Sequence, residues 1–131
     1  MPGPETVRPA LRVLVVDDHP DCGDSTAELL RVLGYEARVA RSCADAVAAV
    51  GSFAPDVAIL DLGLPDGDGF RLARQLVAAL ARRPLLVALT GYTHFEGRSR
   101  EAGFDHHLLK PADPAVLAGL LAGQVRGPRG G

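Results

Sequence analysis

Three short, nearly continuous apolar runs stand out along the chain: Leu11 to Val16, Val57 to Leu60 and Leu85 to Leu89. Each is too short for a helix. A strand with one wet face alternates, so continuous apolarity predicts strands covered on both faces, as in a parallel sheet. Glu36 to Ala40 and His107 to Leu109 are two weaker strand candidates. Between the runs the spacing turns helical. Leu29, Leu30, Val32 and Leu33 precede Gly34, which suits a helix with glycine just past its last turn. Ser42, followed three residues later by Asp45, resembles a capping box opening a helix to Val50, with Gly51 expected to close it. Leu72, Leu76, Val77 and Leu80 mark a third helix, halted before Pro84. Asp113 and Pro114 form the expected N-cap and first-turn pair of a last helix through Leu121. The polar stretch Thr93 to Ala102 carries the weakest pattern, yet a crossover is needed there if its flanking strands are parallel.

Strand and helix thus alternate five times. This predicts an α/β fold: a single, doubly wound, five-stranded parallel sheet with helices on both faces. At 131 residues there is room for one domain, placed at residues 11–125. Residues 1–10, with three prolines, and the tail RGPRGG at 126–131 are expected to be flexible. The composition, 47% hydrophobic and 23% charged, is that of a soluble globular domain. A net charge of −2 argues against direct nucleic-acid binding. No apolar run is long enough for membrane insertion, and no secretory leader is recognisable, so a cytoplasmic location is expected. Cys22 and Cys43 do not form a CxxC pair and read as small, half-buried helix residues.

In open α/β sheets, ligands bind beyond the carboxyl ends of the strands, where the strand order reverses. Asp17 and Asp18 follow the first strand, Asp61 the third, Thr90 the fourth, and Lys110 with Pro111 the fifth. Three carboxylates within roughly 5 Å would repel by about 3 kcal/mol per pair at an effective dielectric near 20. They need counterions. Thirteen of the fourteen basic residues are Arg, and the single lysine, Lys110, falls at this edge. A hard divalent cation such as Mg²⁺ is the natural supplement, because it accepts a few carboxylates and leaves room for phosphate oxygens. Carboxylates beside a hydroxyl and a lysine have the parts for phosphoryl transfer, with one Asp as nucleophile. Gly63 to Gly69 carries acids but lacks the regular ligand spacing of an EF-hand, and reads as a flexible turn capping the third helix.

The strings VLVVDD, AILDLGLPDGDGF, LTG and AGFDHHLLKP together resemble the motifs of response-regulator receiver domains of two-component phosphorelays, over about residues 11 to 122. That resemblance implies a flavodoxin-like receiver fold in which Asp61 accepts a phosphoryl group from a histidine kinase or histidine phosphotransfer protein. It matches Asp17 and Asp18 to the acidic pair at the Mg²⁺ site, with Asp18, Asp61 and the Gly63 carbonyl as direct ligands. Thr90 matches the hydroxyl that moves toward the phosphoryl group, and Lys110 the lysine that contacts it. Where the family usually has Tyr or Phe three residues before that lysine, this chain has His107, a candidate for the switch ring. Similar HH-L-x-K-P strings occur in receivers attached to hybrid sensor kinases. The stretch from Thr90 to Lys110 is slightly short for the family, so no standard dimer through that face is inferred. Tyr92 and Gly63 match positions that tune loss of the phosphoryl group.

The expected role is a phosphoacceptor that switches binding of a downstream protein or relays the phosphoryl group, with no turnover of an external substrate. A receiver fragment of a hybrid histidine kinase and a receiver-like binding module that works without phosphorylation stay open. An aspartate-nucleophile phosphatase would carry a second Asp two residues past the nucleophile, and Gly63 stands there. Nucleotide binding has no GxGxxG or P-loop to support it.

Overall fold

The continuous apolar runs form the buried middle of a parallel sheet. The computed structural model describes residues 11–64, 67–90, 103–110 and 113–122. Its elements are β1 (Arg12–Val16), α1 (Pro20–Val32), β2 (Glu36–Ala40), α2 (Cys43–Phe53), β3 (Val57–Asp61), β4 (Gly63–Leu64), β5 (Gly67–Asp68), α3 (Gly69–Ala79), β6 (Leu85–Thr90), β7 (His106–Leu109) and α4 (Pro114–Ala122). The five-stranded sheet has the order β2-β1-β3-β6-β7, and every neighbouring pair is parallel.

Burial on both faces explains the lack of alternation. Leu14, Val16, Ala58, Leu60, Leu86 and Ala88 join one apolar cluster with residues of α2 and α3. Their strand neighbours Val13, Val15, Val57, Ile59, Val87 and Leu89 join a second cluster with Leu30 of α1 and Leu117 and Leu121 of α4. Only the edge strand β2 alternates between exposed and partly buried positions, which is why its sequence signal is weak. Among the described residues no helix is long and apolar enough to cross a membrane.

Helix ends follow local chemistry. Gly34 takes φ +98° and closes α1 with a Schellman pair of bonds, Tyr35 N–H to the Leu30 carbonyl and Gly34 N–H to the Arg31 carbonyl. The Ser42 hydroxyl accepts the Asp45 amide, and the Asp113 carboxylate accepts the Ala115 amide. Two expectations need correction. Gly51 does not close α2, which runs on to Phe53; the turn comes at Ala54, held at φ 46° directly before Pro55. Gly63 to Gly69 is no plain turn either, because Gly63–Leu64 and Gly67–Asp68 pair as a two-residue antiparallel ribbon before α3 begins at Gly69. The expected crossover at Thr93 to Ala102, Tyr92 and both chain ends lie outside the described residues. Cys22 and Cys43 sit half-buried on α1 and α2, as expected.

Candidate functional site

The strand order reverses between β1 and β3, and the acids gather at the carboxyl ends of these two strands. Asp17 follows β1 directly, and its amide donates to the Ala40 carbonyl of β2 at 3.0 Å. Asp61 is itself the last residue of β3, and Thr90 the last of β6, each one residue further into its strand than the apolar pattern suggested. Lys110 follows β7, where its amide donates to the Thr90 carbonyl at 2.8 Å. Backbone pairing therefore fixes the base of the lysine beside the end of β6, and its side chain reaches across the sheet edge.

There the ammonium makes the contact that organises the site. Lys110 Nζ donates to Asp61 Oδ2 at 2.9 Å and lies 3.1 Å from Asp17 Oδ2. Asp17 is 1% exposed, Thr90 3% and Asp61 6%, so all three are shielded from bulk water at this edge. Asp17, Asp18, His19 and Asp61 each place one ligand atom within 4.8 Å of the others. Asp17, Asp18, Asp61 and Lys110 thus meet on one edge, where their places in the sequence put them. His19 was not among the expected residues, yet its Nδ1 lies 3.5 Å from both Asp17 Oδ1 and Asp18 Oδ1. Nor did the sequence single out Cys22, whose thiol acts to lower the Asp17 carboxyl. Adjacency to the acidic pair is the only signal for His19, and none marks Cys22.

Among the described residues, buried Asp17 Oδ2 and Asp18 Oδ1 accept no well-aligned hydrogen bond, the ion-pair contact of Lys110 with Asp17 notwithstanding. Three carboxylates stand against one ammonium among the described residues, leaving negative charge on hard oxygen donors. This donor set fits a hard divalent cation. Gly63 opens β4 two residues past Asp61. His107 of β7 pairs with Ala88 of β6, on the same sheet face as Thr90 and two residues back from it.

Burial on its own pushes the Asp17 carboxyl up, but the His19 amide, the Cys22 thiol and Lys110 together hold it below the usual carboxylate value. Burial also works to lower Lys110, and Asp61 with Asp17 outweighs it, so the lysine is raised. The depressed Asp17 contributes stability that is present above its unfolded value of about 3.9 and lost as pH falls through its folded value. The raised Lys110 contributes stability present below about 10.4 and lost as pH rises through its folded value. In metal-free buffer the melting temperature should hold from neutral pH down to the carboxylate range and then fall. Asp17→Asn should flatten that acid limb; an equally steep limb in the variant would contradict the assignment.

Gly69 shapes the site from behind. A Cβ there would lie 2.9 Å from the Asp61 carbonyl oxygen and 2.9 Å from Leu62 Cα, both backbone atoms. The start of α3 can thus approach the end of β3 only without a side chain, and the Gly69 amide donates to the Leu62 carbonyl at 3.3 Å. Gly69→Ala should cost about 2 kcal/mol, read as a lower urea midpoint, and should displace Asp61. An unchanged midpoint would show that the strand end tolerates the shift.

Residues 13–122 match the family model described as the response regulator receiver domain. The chain belongs to that family. The receiver is 34% identical over 114 residues to the sensor histidine kinase RcsC of Salmonella typhimurium, a match covering 86% of this chain and 12% of the kinase. It therefore spans about one-eighth of that relative's length. A CheY-like response regulator receiver domain from Methylobacillus flagellatus superposes with a TM-score of 0.81 at 32% identity, covering 87% of this chain and 98% of that one. A response regulator from Burkholderia pseudomallei, solved with a phosphorylated aspartic acid, a calcium ion and citrate, superposes with a TM-score of 0.75 at 27% identity, covering 82% and 65%.

Proposed function

We propose that this receiver accepts a phosphoryl group on Asp61 from a phosphohistidine of a histidine kinase or histidine phosphotransfer protein. The observation that carries the reading is the Lys110 ammonium, set 2.9 Å from Asp61 and 3.1 Å from Asp17, two buried carboxylates. Such a group neutralises the nucleophile's surroundings and can follow a phosphoryl oxygen once one is present. The phosphorylated aspartic acid of the Burkholderia pseudomallei relative supports the same chemistry.

In this reading an Asp61 carboxylate oxygen attacks phosphorus as the bond from phosphorus to the donor's imidazole nitrogen breaks, and the freed imidazole takes up a proton. Rigid pairing of β3 on both sides holds Asp61 for in-line approach. Lys110 exchanges its Asp61 contact for a phosphoryl oxygen. The Thr90 hydroxyl donates to another, and His107, on the same face, follows the movement of Thr90 as the switch ring. Asp17, Asp18, Asp61 and the Gly63 carbonyl would hold Mg²⁺, which supplies positive charge against the phosphoryl oxygens. The switched surface then binds a downstream protein or passes the phosphoryl group onward.

Incubation with acetyl phosphate and Mg²⁺, followed by intact-mass measurement, tests this. The expected result is one labile phosphoryl mass that EDTA prevents. No mass gain, or a gain indifferent to EDTA, would overturn the reading.

A further inference from the structure

His19 directly follows the acidic pair and lies outside the residues assigned above to phosphoryl transfer. It occupies the N-cap of α1, yet its side chain makes no capping hydrogen bond. Instead its backbone amide donates to Asp17 Oδ1 at 3.0 Å, a tight turn that folds the residue back over the acids. The ring nitrogen Nδ1 then stands 3.5 Å from Asp17 Oδ1 and 3.5 Å from Asp18 Oδ1.

These two oxygens are not the ones Lys110 contacts, which are Asp17 Oδ2 and Asp61 Oδ2. The lysine serves one side of the pocket and the imidazole faces the other. Among the described residues Asp18 Oδ1 is buried without a hydrogen-bond partner, and the Asp17 side chain is 1% exposed. So a ring nitrogen and two buried carboxylate oxygens converge on one point. Two donors each about 2.1 Å from a shared ion lie at most about 4.2 Å apart. The 3.5 Å separations satisfy this, and with all four ligand atoms within 4.8 Å of one another any further closing is about half an ångström. The imidazole, 69% exposed, is free to turn toward an ion.

We propose that His19 is an additional metal ligand, making the pocket a mixed nitrogen and oxygen site that takes borderline transition-metal dications in preference to Mg²⁺. This rests on the reading of the acidic pocket as a cation site. Oxygen donors alone suit Mg²⁺, whereas an imidazole adds affinity for ions such as Zn²⁺, Co²⁺ and Ni²⁺. The residue that sets metal preference would then lie outside the set that performs phosphorylation.

Zn²⁺ and Mg²⁺ titrations of the full chain and of His19→Ala, by calorimetry and by long-range ¹H–¹⁵N NMR of the imidazoles, decide the matter. Zn²⁺ should shift the His19 Nδ1 resonance, and Asp18→Asn should suppress that shift. His19→Ala should weaken Zn²⁺ by about tenfold or more and change Mg²⁺ by less than about twofold. An unmoved His19 resonance, equal Zn²⁺ affinity in the two proteins, or equal loss of both metals would overturn the proposal. If wild type binds neither metal, the cation-site reading falls with it; Mg²⁺ binding without a His19 response sinks the His19 proposal alone.

Discussion

Asp61→Asn is expected to abolish phosphoryl uptake from acetyl phosphate while leaving the fold standing. The amide is nearly isosteric but is no nucleophile, so the labile mass should vanish. Stability should change little, because two opposing terms nearly cancel. The variant loses the Lys110 attraction at 2.9 Å, worth roughly 6 kcal/mol at an effective dielectric near 20. It is also relieved of repulsion from Asp17 and Asp18 within 4.8 Å, at least about 3 kcal/mol each at the same dielectric. Lys110 keeps Asp17 as a partner. Thermal melting read beside mass should therefore separate lost chemistry from lost structure. A variant that gains the phosphoryl mass as wild type does would remove Asp61 from its role.

The second large effect concerns Lys110. Lys110→Ala leaves Asp17 and Asp61 buried without their shared counter-charge, and removing one partner of such a pair costs about 3 kcal/mol. That loss should be largest in EDTA and partly restored by Mg²⁺, which reinstates positive charge among the acids. Lys110→Arg separates charge from shape. It keeps the net charge, but a planar guanidinium cannot place one compact nitrogen between Asp17 Oδ2 and Asp61 Oδ2 as the ammonium does. Phosphorylation by acetyl phosphate should fall at least about tenfold with folding retained. Wild-type rates in the arginine variant would mean that any cation at this edge suffices. In a chain that otherwise uses only arginine, that result would make the single lysine a matter of composition.

β1, β3 and β6 were legible because helices cover both of their faces, so nearly every position had to be apolar. The edge strand β2 and the short β7 carry weaker patterns for the converse reason. The end of α2 was misread because Gly51 suggests a stop, whereas the chain turns only where Pro55 forbids continuation and Ala54 adopts a left-handed conformation. The β4 and β5 ribbon is two residues on each side, too short to leave a periodicity.

At the site, Asp17, Asp18, Asp61, Thr90 and Lys110 were visible because each stands at the end of a strand. Which carboxylates Lys110 would pair was not visible, since that follows from the hydrogen bond its backbone N–H donates to the Thr90 carbonyl and from the reach of its side chain. His19 was invisible for a related reason. Its approach to the acids depends on its own amide folding back onto Asp17, and a histidine after an acidic pair otherwise reads as an ordinary loop residue.

The most direct test is chemical trapping of the phosphorylated residue. After acetyl phosphate and Mg²⁺, borohydride reduction converts an aspartyl phosphate to homoserine, and peptide mass mapping then reports its position. Homoserine is expected at residue 61 alone. Homoserine at Asp17 or Asp18, or a labile phosphoryl mass that leaves residue 61 unreduced, would contradict it.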